Sequence, residues 1–196
     1  MILDIVKYGN PVLRKKGARI EQATPELRQL IADMFETMAA RHGIGLAAQQ
    51  VGEALQLTVL DIRGVTDRPS TLELDGKPAA PNSLMPLVLI NPQLKPVAEP
   101  VTGSEGCLSF PEIYADISRP ESIEVAAVDA EFKPVRFRCG GLLARAIQHE
   151  HDHLHGILFI DRMSADKRRE LKPELDELNA TTKAAAKQAT PAERAK

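Results

Sequence analysis

The sequence predicts an α+β fold in which strands flank one central helix. Three observations carry that expectation. An amphipathic helical stripe lies near the N terminus, and a histidine-rich helical stretch lies three-quarters of the way along. The short apolar runs between them do not alternate with helices as a doubly wound sheet requires.

Thr24 reads as an N-cap, with Pro25 at the first helical position and Glu26 in the first turn. Leu27, Leu30, Ile31, Met34, Phe35 and Met38 follow at helical spacing and predict a core-facing helix that stops at Gly43. Residues 55–62, 87–90, 123–128 and 135–139 are apolar runs, several bounded by Pro, Gly or Asp, and predict strands. Between the first two, residues 64–86 carry Pro69, Gly76, Pro78, Pro81 and Pro86 among polar neighbours and predict a long surface loop, either shaping an entrance or a plain insertion. Residues 141–155 predict the second helix, closed by Gly156. Ser164 caps a third expected helix over 164–179. Residues 180–196, rich in Ala, Lys and Thr with almost nothing to bury, are either a frayed extension of it or a disordered tail.

With 196 residues, 43% of them apolar, the chain can bury a core without disulfides. Its two cysteines point to a reducing compartment. A net charge of −2 gives no basic surface for nucleic acid. No charged segment followed by an apolar one suggests export, and no apolar run is long enough for a membrane span. A cytosolic protein is expected.

The chemistry starts at His149, Glu150, His151, Asp152 and His153, which spell H-E-x-x-H. Helical residues four apart lie about 40° apart around the axis and about 6 Å along it, so His149 and His153 can converge on one ion. Glu150 then sits at the edge of that face, within reach of a water held by the metal. His151 and His155 point away from it and are expected to be solvated surface histidines. Cys107, within Glu105-Gly106-Cys107-Leu108-Ser109 and just before an expected strand, offers a third ligand; three protein ligands with a fourth position for water is the catalytic pattern. A lone Cys is otherwise a small buried hydrophobe, the reading that suits Cys139. Upstream, Gly43-Ile44-Gly45 permits close backbone approach, though Gly43 equally suits a helix end, and the Gln49-Gln50 amides can donate to a developing oxyanion.

Residues 43–50 (GIGLAAQQ), 105–109 (EGCLS) and 148–156 (QHEHDHLHG) together resemble, in order, spacing and wording, the three signature motifs of the peptide deformylases. The resemblance covers roughly residues 2–175, Pro11-Val12-Leu13-Arg14 included. It implies a deformylase-like α+β fold, with mixed or antiparallel strands around the metal helix. One catalytic domain is expected over 1–175, and a helix end or tail over 176–196. The resemblance implies that Cys107, His149 and His153 bind the metal and that Glu150 acts as base and then acid. Gln50 and the Leu108 N–H would serve the oxyanion, Glu105 and Arg119 would form a structural ion pair, and Gln148 would support the site. Ile44, Gly45, Leu142 and Ala146 would contact substrate, although Leu142 fits a plain core role as well. Arg145 stands either at the mouth of that slot or in solvent. The implied substrate is the N-formyl-methionyl end of a new polypeptide in a bacterial cytoplasm, and the implied ion Fe(II), with Zn(II), Ni(II) or Co(II) as substitutes. Transient ribosome contact through the C-terminal helix is implied too; specific nucleic-acid or membrane binding is not.

Departures are few: Gln49 stands where Thr is common, His151 where an apolar residue is common, and the 64–86 loop is long. Two other functions compete. A zincin-type protease would need a third ligand downstream, for which Asp161 is the candidate. A non-catalytic metal-stabilised or ribosome-binding module would need no base, and both Glu150 and Gln50 are present.

Overall fold

The computed structural model describes residues 1–188; the end of the expected tail, 189–196, lies outside the described residues. Helix α1 (Pro25–Ala40) starts as expected, with the Thr24 hydroxyl accepting the Leu27 N–H at 3.2 Å. It stops short of Gly43. His42 takes a left-handed φ of 55°, its N–H reaches Ala39 O and the Gly43 N–H reaches Met38 O, the paired bonds of a Schellman end.

The strands β1 (Gly45–Ala47), β2 (Leu57–Leu60), β3 (Ser70–Leu74), β4 (Lys77–Ala79), β5 (Leu87–Pro96), β8 (Ser122–Val128) and β9 (Pro134–Gly140) form one antiparallel sheet of order β1-β2-β5-β8-β9-β3-β4. Strands β6 (Pro100–Cys107) and β7 (Phe110–Pro120) pair with each other in a separate hairpin. Helix α2 (Gly141–Leu154) packs its apolar side on the sheet, where Leu142, Leu143, Ala146 and Ile147 meet Leu72, Leu87, Leu89, Ile123 and Phe137. A second cluster closes the other side, with Phe110, Ile113 and Ile117 of β7 against Leu13, Leu158, Phe159 and Leu175. Helix α1 covers β1 and β2 through Ile31, Met34 and Met38. Helix α2 thus runs between sheet and hairpin, where side chains from both can meet.

Several segments differ from their expected form. Residues 64–86 are no plain loop: they hold β3 and β4, β3 pairs with β9, and Leu72 is buried in the main core. The expected strand at 87–90 runs on to Pro96 through an irregularity between Ile90 and Gln93. The expected helix over 164–179 is two helices, α3 (Ala165–Glu170) and α4 (Lys172–Gln188). Pro173 has no N–H to continue the first, yet is tolerated in the opening turn of the second. Residues 180–188, left open between frayed helix and disorder, are helical.

Candidate metal centre

Cys107 ends β6, where the register shifts between Gly106 and Cys107, while His149 and His153 occupy one side of α2. The three ligand atoms lie within 4.8 Å of one another, and this is the one such group of three among the described residues. Cys107 Sγ is 3.3 Å from His153 Nε2. His149 Nδ1 faces Glu105 Oε2 at 2.9 Å, which turns its other nitrogen towards the group. Burial lowers the pKa of His153 well below the usual imidazole range, favouring the neutral form that binds a cation. At His149 burial pulls the same way, but the hydrogen bonds to Cys107 and Glu105 outweigh it and hold a proton, which a cation would displace. A thiolate and two imidazoles fit a first-row divalent ion and leave room for a fourth ligand.

Glu150 follows His149 and is 5% exposed, with Oε2 unpartnered. Burial, partly offset by the charges on His149 and Arg119, pushes its carboxyl up to about 7, a value suited to taking and returning a proton near neutrality. Gly45 makes room for it, since a Cβ there would stand 2.5 Å from Glu150 Oε1. Gln50 Oε1 accepts the Ala47 N–H at 2.8 Å, so its NH2 end points to the site, 3.4 Å from Cys107 Sγ. Leu108 follows Cys107 in the tight β6–β7 connection, its carbonyl held by Lys7 Nζ at 2.7 Å.

Beneath Cys107, His149 and His153 lies a buried charge network. Arg119 donates to Glu105 at 2.6 and 3.0 Å, as the resemblance implied, and also to Asp152 at 2.8 Å. Arg145, expected either at the mouth of the slot or in solvent, lines the cavity but is no free charge there. It is 8% exposed and donates to Glu105 at 2.8 Å and to the carbonyls of Ile117 and Val101, a buried pairing the sequence did not reveal. Glu105 is depressed far below the ordinary carboxylate range: burial raises it, but His149 and Arg119 more than compensate. Gln148 supports the helix rather than a ligand, donating to Pro120 O and Ala144 O. Asp152 was also missed, although its place three residues after His149 puts it on the same side of the helix. Asp161 is paired with Arg14, away from the metal group. His155 is exposed and His151 half-buried, its pKa lowered to about 4 by burial and then by the charge of His155.

One cavity of about 400 Å³ opens over this floor, lined by Cys107, His149, Glu150, Gln50 and Leu108 together with Ile44, Gly45, Leu142 and Ala146. All the sequence-derived site residues except His153, which lies deeper, therefore face one space. A family model for the polypeptide deformylases matches residues 2–169. The chain belongs to the polypeptide deformylase family. The peptide deformylase of Methylacidiphilum infernorum is 48% identical over 178 residues, covering 91% of this chain and 93% of that one. That of Opitutus terrae is 45% identical over 189 residues, covering 95% and 98%. A plant peptide deformylase crystal structure superposes with a TM-score of 0.81 at 36% identity, covering 96% of this chain and 95% of the other. The chain is accordingly a deformylase, a metal-dependent hydrolase that takes the N-formyl group from new polypeptides.

Proposed function

We propose that deformylation runs on Cys107, His149 and His153 as metal ligands, Glu150 as the proton carrier, and Gln50 with the Leu108 N–H as oxyanion donors. The observation that carries this reading is the unpartnered, buried Glu150 carboxyl beside the three-ligand group. When bound, the ion supplies Lewis acidity that brings the pKa of a water towards neutrality. Glu150 Oε2 is placed to take the proton of a water as that water attacks the formyl carbon. Charge then builds on the formyl oxygen, and Gln50 Nε2 and the Leu108 N–H donate to it; one such donor is worth about 3 kcal/mol of barrier. Glu150 returns the proton to the leaving nitrogen, so formate and a free amino terminus separate. Ile44, Leu142 and Ala146 supply the apolar wall for the methionine side chain, and Gly45 lets substrate and Glu150 share a narrow space.

Fe(II) is the ion proposed in the cell, with Zn(II), Ni(II) or Co(II) able to replace it, because this donor set takes several first-row ions. The proposed setting is the bacterial cytoplasm, where formylated chains are made; no described helix is long and apolar enough to cross a membrane. A transient ribosome contact is assigned to the C-terminal helices, where Lys167, Arg168 and Arg169 end α3. The test is formate release from a formyl-Met tripeptide by oxygen-free, Fe(II)-loaded protein beside Glu150→Gln. The parent should release formate, and the variant should keep its metal but lose release. Equal release by both would remove Glu150 from its role.

A further inference from the structure

We propose that Arg41 and Arg68 form a cationic rim that favours formylated peptides carrying an acidic residue shortly after methionine. The inference rests on the deformylase reading and extends it to the substrate residues beyond methionine. Both arginines line the cavity that holds the metal ligands, and both are exposed, so they stand at its open edge rather than on its floor. Neither guanidinium has an ion-pair or side-chain hydrogen-bond partner among the described residues. The other arginine of the lining, Arg145, is fully engaged beneath the floor.

The charge at the rim is unbalanced. Of the three glutamates in the lining, Glu105 is buried and held by Arg119 and Arg145, and Glu150 is buried at the reaction centre. Glu112, on the β7 wall, is the one exposed carboxylate there. Lys7, bonded to the Leu108 carbonyl, lies close enough to Arg41 to feel its charge and adds to the positive side. The chain as a whole carries −2, so its overall field disfavours an acidic peptide; a preference for one would have to come from this local patch.

Both arginines sit on firm mounts. Arg41 closes α1, next to the paired hydrogen bonds of its Schellman end. Arg68 directly precedes Pro69, whose carbonyl accepts the Leu142 N–H at 3.0 Å, and Ser70, whose hydroxyl accepts the Leu143 N–H at 3.0 Å. The segment around β3 is thereby clamped to the first turn of the metal helix, and Arg68 is held over the cavity by the same clamp. Two positioned, unpaired guanidiniums suit a carboxylate, with either charge-assisted or forked hydrogen bonds.

The experiment compares kcat/KM for formyl-Met-Ala-Asp-amide and formyl-Met-Ala-Lys-amide, and for the pair with Asp or Lys directly after Met, at low and at high salt. Calorimetric binding of the unformylated product peptides serves as a second readout that needs no turnover. In at least one pair the acidic peptide should be preferred, by about threefold for each guanidinium, the size of an exposed ion pair. The preference should reside in KM and shrink at high salt. Arg41→Ala and Arg68→Ala should each reduce it, Arg68→Lys should retain most of it, and Arg138→Ala on the distant β9 should leave the ratio alone. Equal treatment of Asp and Lys peptides in both readouts, or a preference that survives both alanine variants, overturns the rim. Absence of formate from every peptide would instead count against the deformylase reading, with calorimetry still deciding the rim.

Discussion

Glu105 accepts from Arg119, Arg145 and His149 at once, inside the protein. Its charge is what makes two buried guanidiniums tolerable and what turns the free nitrogen of His149 towards Cys107 and His153. Glu105→Gln should therefore cost about 3 kcal/mol in urea unfolding, the penalty of leaving buried charge uncompensated, and should weaken metal binding as well. An unfolding free energy within error of the parent would mean that Asp152 and backbone carbonyls suffice for both arginines. Cys107→Ser replaces a soft thiolate by a hydroxyl and should yield protein with substoichiometric metal and altered ion preference; metal content like that of the parent would exclude Cys107 as a ligand. Gln50 illustrates a role set by orientation, since the Ala47 N–H fixes which end of its amide faces Cys107.

Helix α2 begins at Gly140 and Gly141, which carry no side chain able to cap it. The cap comes from elsewhere in the chain, the Ser70 hydroxyl on the Leu143 N–H. Ser70→Ala should cost about 1 kcal/mol in thermal or urea unfolding, as loss of a helix cap does; no change would mean that the Pro69 carbonyl does this alone. Such borrowed caps are invisible to local pattern. For the same reason helix α1, with its own Thr24 cap and regular apolar stripe, was readable from sequence, whereas β3 was hidden among prolines and becomes a strand only by pairing with β9. Strand β6 was likewise hard to read, because Gly, Ser and Glu break its alternation and it pairs with β7 apart from the main sheet, whereas β7 is the strand expected after Cys107. The Cys107, His149 and His153 group was legible because ligand chemistry restricts residue type and helical spacing tightly. Arg145 and Asp152 were not, since a buried charge declares itself only once its partners are in place.

Across the molecule, widely separated segments are tied together at the site and behind it. Arg14, in the short 3-10 helix Pro11–Arg14, pairs with Asp161 in the 3-10 helix Phe159–Asp161, with one contact at 3.1 Å. Burial raises the Asp161 carboxyl, but Arg14 and the Leu158 N–H outweigh it, so its folded pKa lies below the ordinary value. A depressed folded pKa contributes stability above the unfolded value, near 3.9, and loses it as pH falls through the folded one. Asp161→Asn should lower the melting temperature at pH 7, and the gap should narrow below about pH 4; a gap independent of pH would assign the effect to packing instead. The measurement that tests the central claim most directly is metal removal and return. Protein stripped with a chelator should release no formate from formyl-Met peptide, and anaerobic Fe(II) should restore release in proportion up to one equivalent, a restoration that Cys107→Ser fails to show. Stripped protein as active as the parent, or full restoration in the variant, would contradict a metal centre built on Cys107, His149 and His153.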